Sequence, residues 1–384
     1  MQRLARMDGL RGILAVYVML GHAMPFTDLP NWITAPFGHG EAAVDLFFAL
    51  SGLVIVNSLE RFGGEFLPFM AARARRLLPV YFVVLGLSIA LLVLGNPLAA
   101  MPWVGPAGAL FWAAGLPQGF PWHLAAHLFL LHGVMPQGLL PYAYVTLLGP
   151  AWSLSTEWQF YVVIGLAAPK RLGLFALAML AAGAAYHFLN LPPWWQFSRA
   201  FLPDAAPYFA LGVGSAVWLR GGGKKIFAVC LLGACGIGWL NGPDKALVPL
   251  AWAAAMLAQD HKWGAVLESR GMRYLGAISY PLYLLNEPVQ RGLAMLLAPL
   301  AHGGATVFML VWLPAAVVTP VLAAALLHHG VELRFMRQNN KRLFQKPFWR
   351  PSGRDYLRAG AHVLNVRSAP VLENHDHPTR QNDF

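Results

Sequence analysis

Polar residues in this chain fall in short intervals between long apolar runs at about 9–27, 42–59, 78–97, 147–169, 172–190, 204–219, 226–241, 245–258, 275–298 and 305–328. At about 1.5 Å rise per residue each run reaches, or nearly reaches, across a hydrocarbon layer roughly 30 Å thick, the shortest with help from flanking residues. Only segments that satisfy every backbone group internally can do this, so the pattern predicts an all-α polytopic membrane bundle of about ten transmembrane helices. Residues 98–146 are different: their apolar pieces, Ala107 to Gly115 and Leu124 to Gly133, are short and broken by Pro and Gly. They predict a lid outside the spans, extracytoplasmic or re-entrant, and no further crossing.

Composition agrees with this reading, since 57% of the 384 residues are hydrophobic and only 12% are charged. A large soluble domain is excluded. The two cysteines, Cys230 and Cys235, sit in an apolar run and signal neither a disulfide framework nor a metal site. The net charge of +11 raises the question of nucleic acid, and the placement of that charge answers it. Starting the first span from the cytoplasm puts the basic residues on the cytoplasmic side, with only Arg199, Lys245 and Arg291 on or near the other. That is the positive-inside bias, with both termini cytoplasmic and no nucleic-acid partner. Arg3 and Arg6 lead into a long span without a cleavable signal, and residues 336–384 read as a basic, partly disordered tail near anionic lipid, distinct from a membrane domain at 1–335.

Ionisable residues inside spans are costly and mark cavities or pairs. Here they are Arg11 and His22 on the first span, Asp45 on the second, Glu157 on the fourth and Glu287 on the ninth, with His127 and His132 in the lid segment. Arg11 and His22 are eleven residues apart, close to three helical turns, so they project from one face about 16 Å apart along the axis. A long ligand with an anionic head and a reactive tip fits that spacing. The imidazole of His22 suits a general base, with Glu157 expected to steady it or to orient an acceptor. Around Glu157 lie Trp152, Ser153, Ser155 and Tyr161, whose indole and hydroxyls can bind a sugar, and Asp45 opens a stretch ending in Ser51 and Gly52, suited to close helix packing. Arg73 and Arg76 share a face if their loop is helical, and guanidinium pairs bind phosphate.

Five segments in order carry a family resemblance. They are Met7-Asp8-Gly9-Leu10-Arg11-Gly12 with His22 completing an Arg-x10-His pattern; Val44-Asp45-Leu46-Phe47-Phe48-Ala49-Leu50-Ser51-Gly52; Arg73-Ala74-Arg75-Arg76-Leu77-Leu78-Pro79; Trp152 to Tyr161; and Ser279-Tyr280-Pro281-Leu282-Tyr283-Leu284. Over about residues 6–335 the chain resembles the acyltransferase-3 family of bacterial integral membrane O-acyltransferases, in its form without a fused hydrolase-like domain. The resemblance implies ten helices in the inner membrane and transfer of an acyl group, usually acetyl, from cytoplasmic acyl-CoA to a hydroxyl of a glycan or glycolipid, with no metal. Carried over by position, Arg11 would help hold the CoA phosphates, His22 would be catalytic, Arg73 and Arg76 would belong to the family's cytoplasmic basic motif, and Glu157 with its Trp and Ser neighbours would match the motif of the fourth span. With the chemistry above, His22 and Glu157 are the expected catalytic pair and Arg11, Arg73 and Arg76 the expected CoA site. Trp152, Ser153, Ser155, Tyr161 and Asp45 would meet the acceptor. One departure stands out: many relatives have His where this chain has Asn286, which leaves no proton-transfer role there. The alternative from another class is a secondary transporter or flippase using the same buried groups as a path.

Overall fold

A computed structural model describes residues 2–336, apart from 106–107, 110–111, 113–114 and 259–260. The expected tail at 336–384 lies, but for Met336, outside the described residues. Those described fall within one compact unit, Met1–Met336, and contain helices and turns but no strand.

The helices of nine or more residues are α1 (Gln2–Ala23), α2 (Gly40–Arg61), α3 (Phe66–Leu94), α4 (Phe120–Leu128), α5 (Ala151–Ala167), α6 (Leu172–Phe188), α7 (Leu202–Leu219), α8 (Lys224–Asn241), α9 (Leu247–Leu257), α10 (Arg270–Leu297) and α11 (Ala305–Leu327). All but α4 coincide with an apolar run of the sequence. Five helical segments are long and apolar enough by length and composition alone to cross a membrane: Arg6–Phe26, Asn31–Arg61, Phe66–Leu94, Lys224–Asn241 and Ala305–Met336. α10 is also long, but carries Arg270, Arg273, Glu287 and Arg291, and much of its surface is turned inward.

α3 starts twelve residues before the expected 78, so Arg73, Arg75 and Arg76 stand on its first turns and not in a loop. Pro79 lies inside this helix, where it leaves one backbone carbonyl without its usual donor. α11 ends in a short π-helical segment, His328–Glu332, a local widening often found beside functional groups.

Two helix pairs meet backbone to backbone through glycine. A Cβ on Gly276 of α10 would come within 2.1 Å of the Asp8 carbonyl of α1, and one on Gly12 within 2.8 Å of the Gly276 nitrogen. The same contact joins Gly52 of α2 to the Phe209 carbonyl of α7 at 2.5 Å, as the stretch after Asp45 predicts. Small residues at crossings let helices approach and polar side chains bond across them. α1 and α10 are thereby locked face to face, which brings His22 against Asn286.

The segment 98–146 packs over the end of α1. Trp112 stacks on Phe26 with ring centroids 3.5 Å apart, and Trp103 Nε1 donates to the Phe26 carbonyl at 3.2 Å. With Trp312 and Phe308 of α11 these rings form a second apolar cluster, separate from the main core around Tyr81, Phe160 and Phe209.

Candidate active site

The polar side chains of the spans gather around two cavities. One, of about 590 Å³, is lined by His22, Trp152, Glu287 and Arg291 and roofed by lid residues such as Tyr142 and Thr146. The other, of about 90 Å³, is lined by Arg11, Arg73, Arg76, Glu157, Tyr161 and Tyr280. On α5 the boundary between them falls between Trp152 and Ser153; on α10 it falls between Leu284 and Glu287. The hydroxyls of Ser153 and Tyr283, 2.9 Å apart, form the partition. From Tyr283 to Glu287 is about 6 Å along the helix axis.

In the first cavity the imidazole has a defined tautomer. Asn286 Nδ2 donates to the carbonyls of Leu282 (3.2 Å) and Tyr283 (2.6 Å), so its oxygen faces His22 Nδ1 at 2.7 Å. An amide oxygen only accepts, which puts the proton of the neutral ring on Nδ1 and the lone pair on Nε2. Glu287 Oε2 sits 2.5 Å from where a Cβ on Gly149 would be, so the glycine gives this carboxylate its room. Arg291 lies one turn further along α10 and donates to the Gly95 carbonyl at 2.8 Å.

The second cavity is dominated by positive charge. Arg73 and Arg76, at i and i+3 on α3, both reach it, while Arg75 is exposed. Arg11 lies within electrostatic reach of Arg76 and Glu157. Arg73 donates to Ser58 at 2.8 Å and stands over the Tyr161 ring. Arg76 pairs with the buried Glu332 at 3.7 Å, which also meets His328 Nδ1 at 2.7 Å. Three guanidiniums against Glu157 make a site for an anion, and their planar forks match phosphate oxygens.

The structure thus divides residues that the shared face of Arg11 and His22 predicts along one ligand. Arg11 and His22 share a face of α1 but line different cavities. Glu157 is not beside His22: it accepts from Ser51 at 2.6 Å and from Tyr161, in the guanidinium cavity. The reason is its position on α5, where residue 157 lies more than a turn beyond the partition at Ser153. Ser155 lines neither cavity, since its hydroxyl donates to the Leu130 carbonyl at 2.6 Å and accepts from Gly133 N at 3.1 Å, pinning the lid to α5. Ser153 and Tyr161 line the guanidinium cavity and Trp152 the other. Asp45 lines neither; Arg199 reaches it at 3.4 Å and stands over the Trp152 ring at 4.3 Å.

Asn286 and Glu287 acquire places that sequence reasoning did not give them. Asn286 reads as a loss when compared with a histidine, and its contribution depends on a contact 264 residues away in sequence. His127 and His132 stack at 4.1 Å and donate through Nε2 to the carbonyls of Ala143 and Ala151, both at 3.0 Å. Burial holds His132 down at about 4, so this pair is neutral and serves to fasten the lid.

Among the described residues no group of His, Cys, Asp and Glu is arranged to hold a metal ion. No solved structure matches the chain. A protein from Rhizobium radiobacter, protein 2 in the picA locus, is 32% identical over 170 residues, which is 41% of this chain and 78% of that protein. The profile of the acyltransferase-3 family, described as an acyltransferase domain, matches residues 4–329 and so takes in both cavities and every helix from α1 to α11. With apolar helices able to cross a bilayer and this match over nearly the whole of its length, the chain belongs to the acyltransferase-3 family of membrane acyltransferases.

Proposed function

We propose that this protein takes an acyl group, acetyl in the simplest case, from acyl-CoA on the cytoplasmic side and places it on a hydroxyl of an envelope glycan or glycolipid at the opposite face of the inner membrane. The observation that supports this best is the pairing of a guanidinium cavity with a histidine cavity across one thin partition. The ten apolar runs then cross the membrane with both termini cytoplasmic, and the tail from 336 lies on the donor side.

The donor set suits the phosphates of coenzyme A, because Arg11, Arg73 and Arg76 offer convergent bidentate donors. The cavity of about 90 Å³ is small against the whole cofactor, so its acyl arm reaches His22 when the Ser153–Tyr283 bond opens. Acyl-CoA supplies a thioester whose thiol leaves readily. The remaining work belongs to the chain. The acceptor hydroxyl enters under the lid and gives its proton to His22 Nε2 as its oxygen bonds to the acyl carbon; the carbon–sulfur bond breaks, and the proton passes to the departing sulfur. Asn286 keeps Nε2 as the accepting nitrogen. Glu287, in the same cavity, takes the part that the sequence reading gave to Glu157, stabilising the charged ring. Glu157 and Tyr161 instead hold the guanidinium cluster in place.

Mass spectrometry of lipid-linked and polymeric glycans from cells with and without the protein tests this reading. A mass difference of one acyl group per acceptor, lost on deletion and restored by the intact chain, is the expected result. Identical glycan and glycolipid spectra from the two strains would contradict it.

A further inference from the structure

A polar trough lies beside the His22 cavity and takes no part in the chemistry above. It runs between the ends of α2, α6, α7 and α8 as two hollows of about 300 and 290 Å³ that share Tyr186, Phe197, Asp204 and Asn241. Its wall toward the His22 cavity is Arg199, whose guanidinium covers one side of the Trp152 ring, while Trp152 also lines the cavity holding His22. The two spaces are therefore neighbours across a single stacked pair.

We propose that this trough is an acceptor subsite for an extended, uncharged glycan, so that the acyl group is delivered to one sugar of a chain whose further sugars lie across Trp152 and Arg199. The proposal rests on the acyl-transfer reading for its use, and on the trough's own chemistry for its ligand.

That chemistry has three parts. Three carboxylates, Glu41, Asp45 and Asp204, stand against two cations, Arg199 and Lys245. Arg199 is paired with both Glu41 and Asp45, and Asp204 lies within electrostatic reach of Arg199 and Lys245. Charges opposed in this way, with one carboxylate in excess, leave oxygen lone pairs for hydroxyl donors and no surplus of cations for an anionic ligand. Arg199 Nε is buried with no acceptor among the described residues. The rings of Tyr186 and Phe197 supply electron-rich faces for the C–H side of a sugar ring, backed by Phe201, which stacks on Phe197 at 4.2 Å. At the far end the exposed amides of Asn190, Gln196 and Asn241 offer both donors and acceptors.

Other ligand classes fit less well. A polyanionic chain would meet more carboxylates than cations. A lipid tail would meet polar groups along most of its length, and no metal-holding cluster is formed by the acids. A neutral polyol with hydroxyl edges and C–H faces satisfies all three sets of groups.

The test uses full-length protein in lipid nanodiscs without acyl donor. Cellohexaose, maltohexaose, glucose and an acidic galacturonate hexamer are titrated by calorimetry. At least one neutral hexasaccharide is expected to bind with saturation, more tightly than glucose and than the acidic hexamer. The double variant Gln196→Ala/Asn241→Ala, at two exposed positions, is expected to weaken it about thirtyfold, as for two lost hydrogen bonds, with thermal stability unchanged. A second variant, Phe197→Leu, stays apolar but removes the ring face and should weaken it as well. Failure of both neutral hexasaccharides to saturate, tighter binding of the acidic hexamer, or unchanged affinity in both variants would overturn the proposal. Since no acyl-CoA is present, retained glycan binding with no acyl transfer would strike down the proposed reaction and leave the trough standing.

Discussion

His22→Ala is expected to insert and fold normally and to lose acyl transfer by roughly two to four orders of magnitude, the usual contribution of a positioned general base. The expectation follows from the ring's setting. Its Nδ1 proton is committed to the Asn286 oxygen at 2.7 Å, so Nε2 is the nitrogen that carries the ring's lone pair. Removing the imidazole leaves the guanidinium cavity untouched, so acyl-CoA affinity should hold while kcat collapses. Asn286→Leu sharpens the argument, because it keeps the branched outline while replacing the amide, the oxygen that faces His22 and the nitrogen that caps its own helix carbonyls, with methyl groups. A positioning role predicts a fall in kcat with the acceptor KM unchanged. Equal loss of both constants would reduce Asn286 to packing, and full activity in His22→Ala would remove the ring from the reaction.

Arg11→Ala is expected to raise the dissociation constant for acyl-CoA roughly ten- to hundredfold, the worth of one charge-assisted contact to phosphate. It should leave glycan binding as it was. Arg11 stands with Arg73 and Arg76 at the cavity without His22, so donor and acceptor affinities are separable. Arg76→Ala should act in the same direction. Its effect has two parts, since it also strips a partner from Glu332, which is buried among α3 and the π-helical end of α11. Arg75→Ala, at an exposed position on the same turns, serves as the comparison and should leave donor affinity near that of the native chain. Loss of donor and acceptor binding together in Arg11→Ala would point to a helix that no longer packs against α10.

What the sequence disclosed and what it withheld follow from the range of the interactions involved. The apolar runs coincide with ten of the eleven longer helices among the described residues, because an apolar run long enough for a helix is written residue by residue. The close approach at Gly52 was legible for the same reason, a residue without a side chain within an apolar run. Arg73 and Arg76 were correctly paired by their i, i+3 spacing once the helix reached back to Phe66. The split into two cavities was not legible. Helical phase puts Arg11 and His22 on one face, but only the packing of α1 against α10, and the bond of Ser153 to Tyr283, decide that these two hydroxyls come between them. Glu157 stands apart from His22 because Ser51 and Tyr161 satisfy it in the other cavity, a partnership that its own motif does not announce. Ser155 was misjudged because a buried hydroxyl in a motif looks the same whether it meets a ligand or a backbone carbonyl.

Sidedness tests the central claim most directly. In vesicles carrying the purified protein in one orientation, with radiolabelled acetyl-CoA supplied only on the side of Arg73 and Arg76 and a glycan acceptor only on the side of His22, label should pass to the glycan. Reversing the two compartments should give none. Labelling that is equal in both arrangements, or that proceeds with donor and acceptor confined together on the His22 side, would contradict a donor site and an acceptor site meeting across the partition at Ser153 and Tyr283.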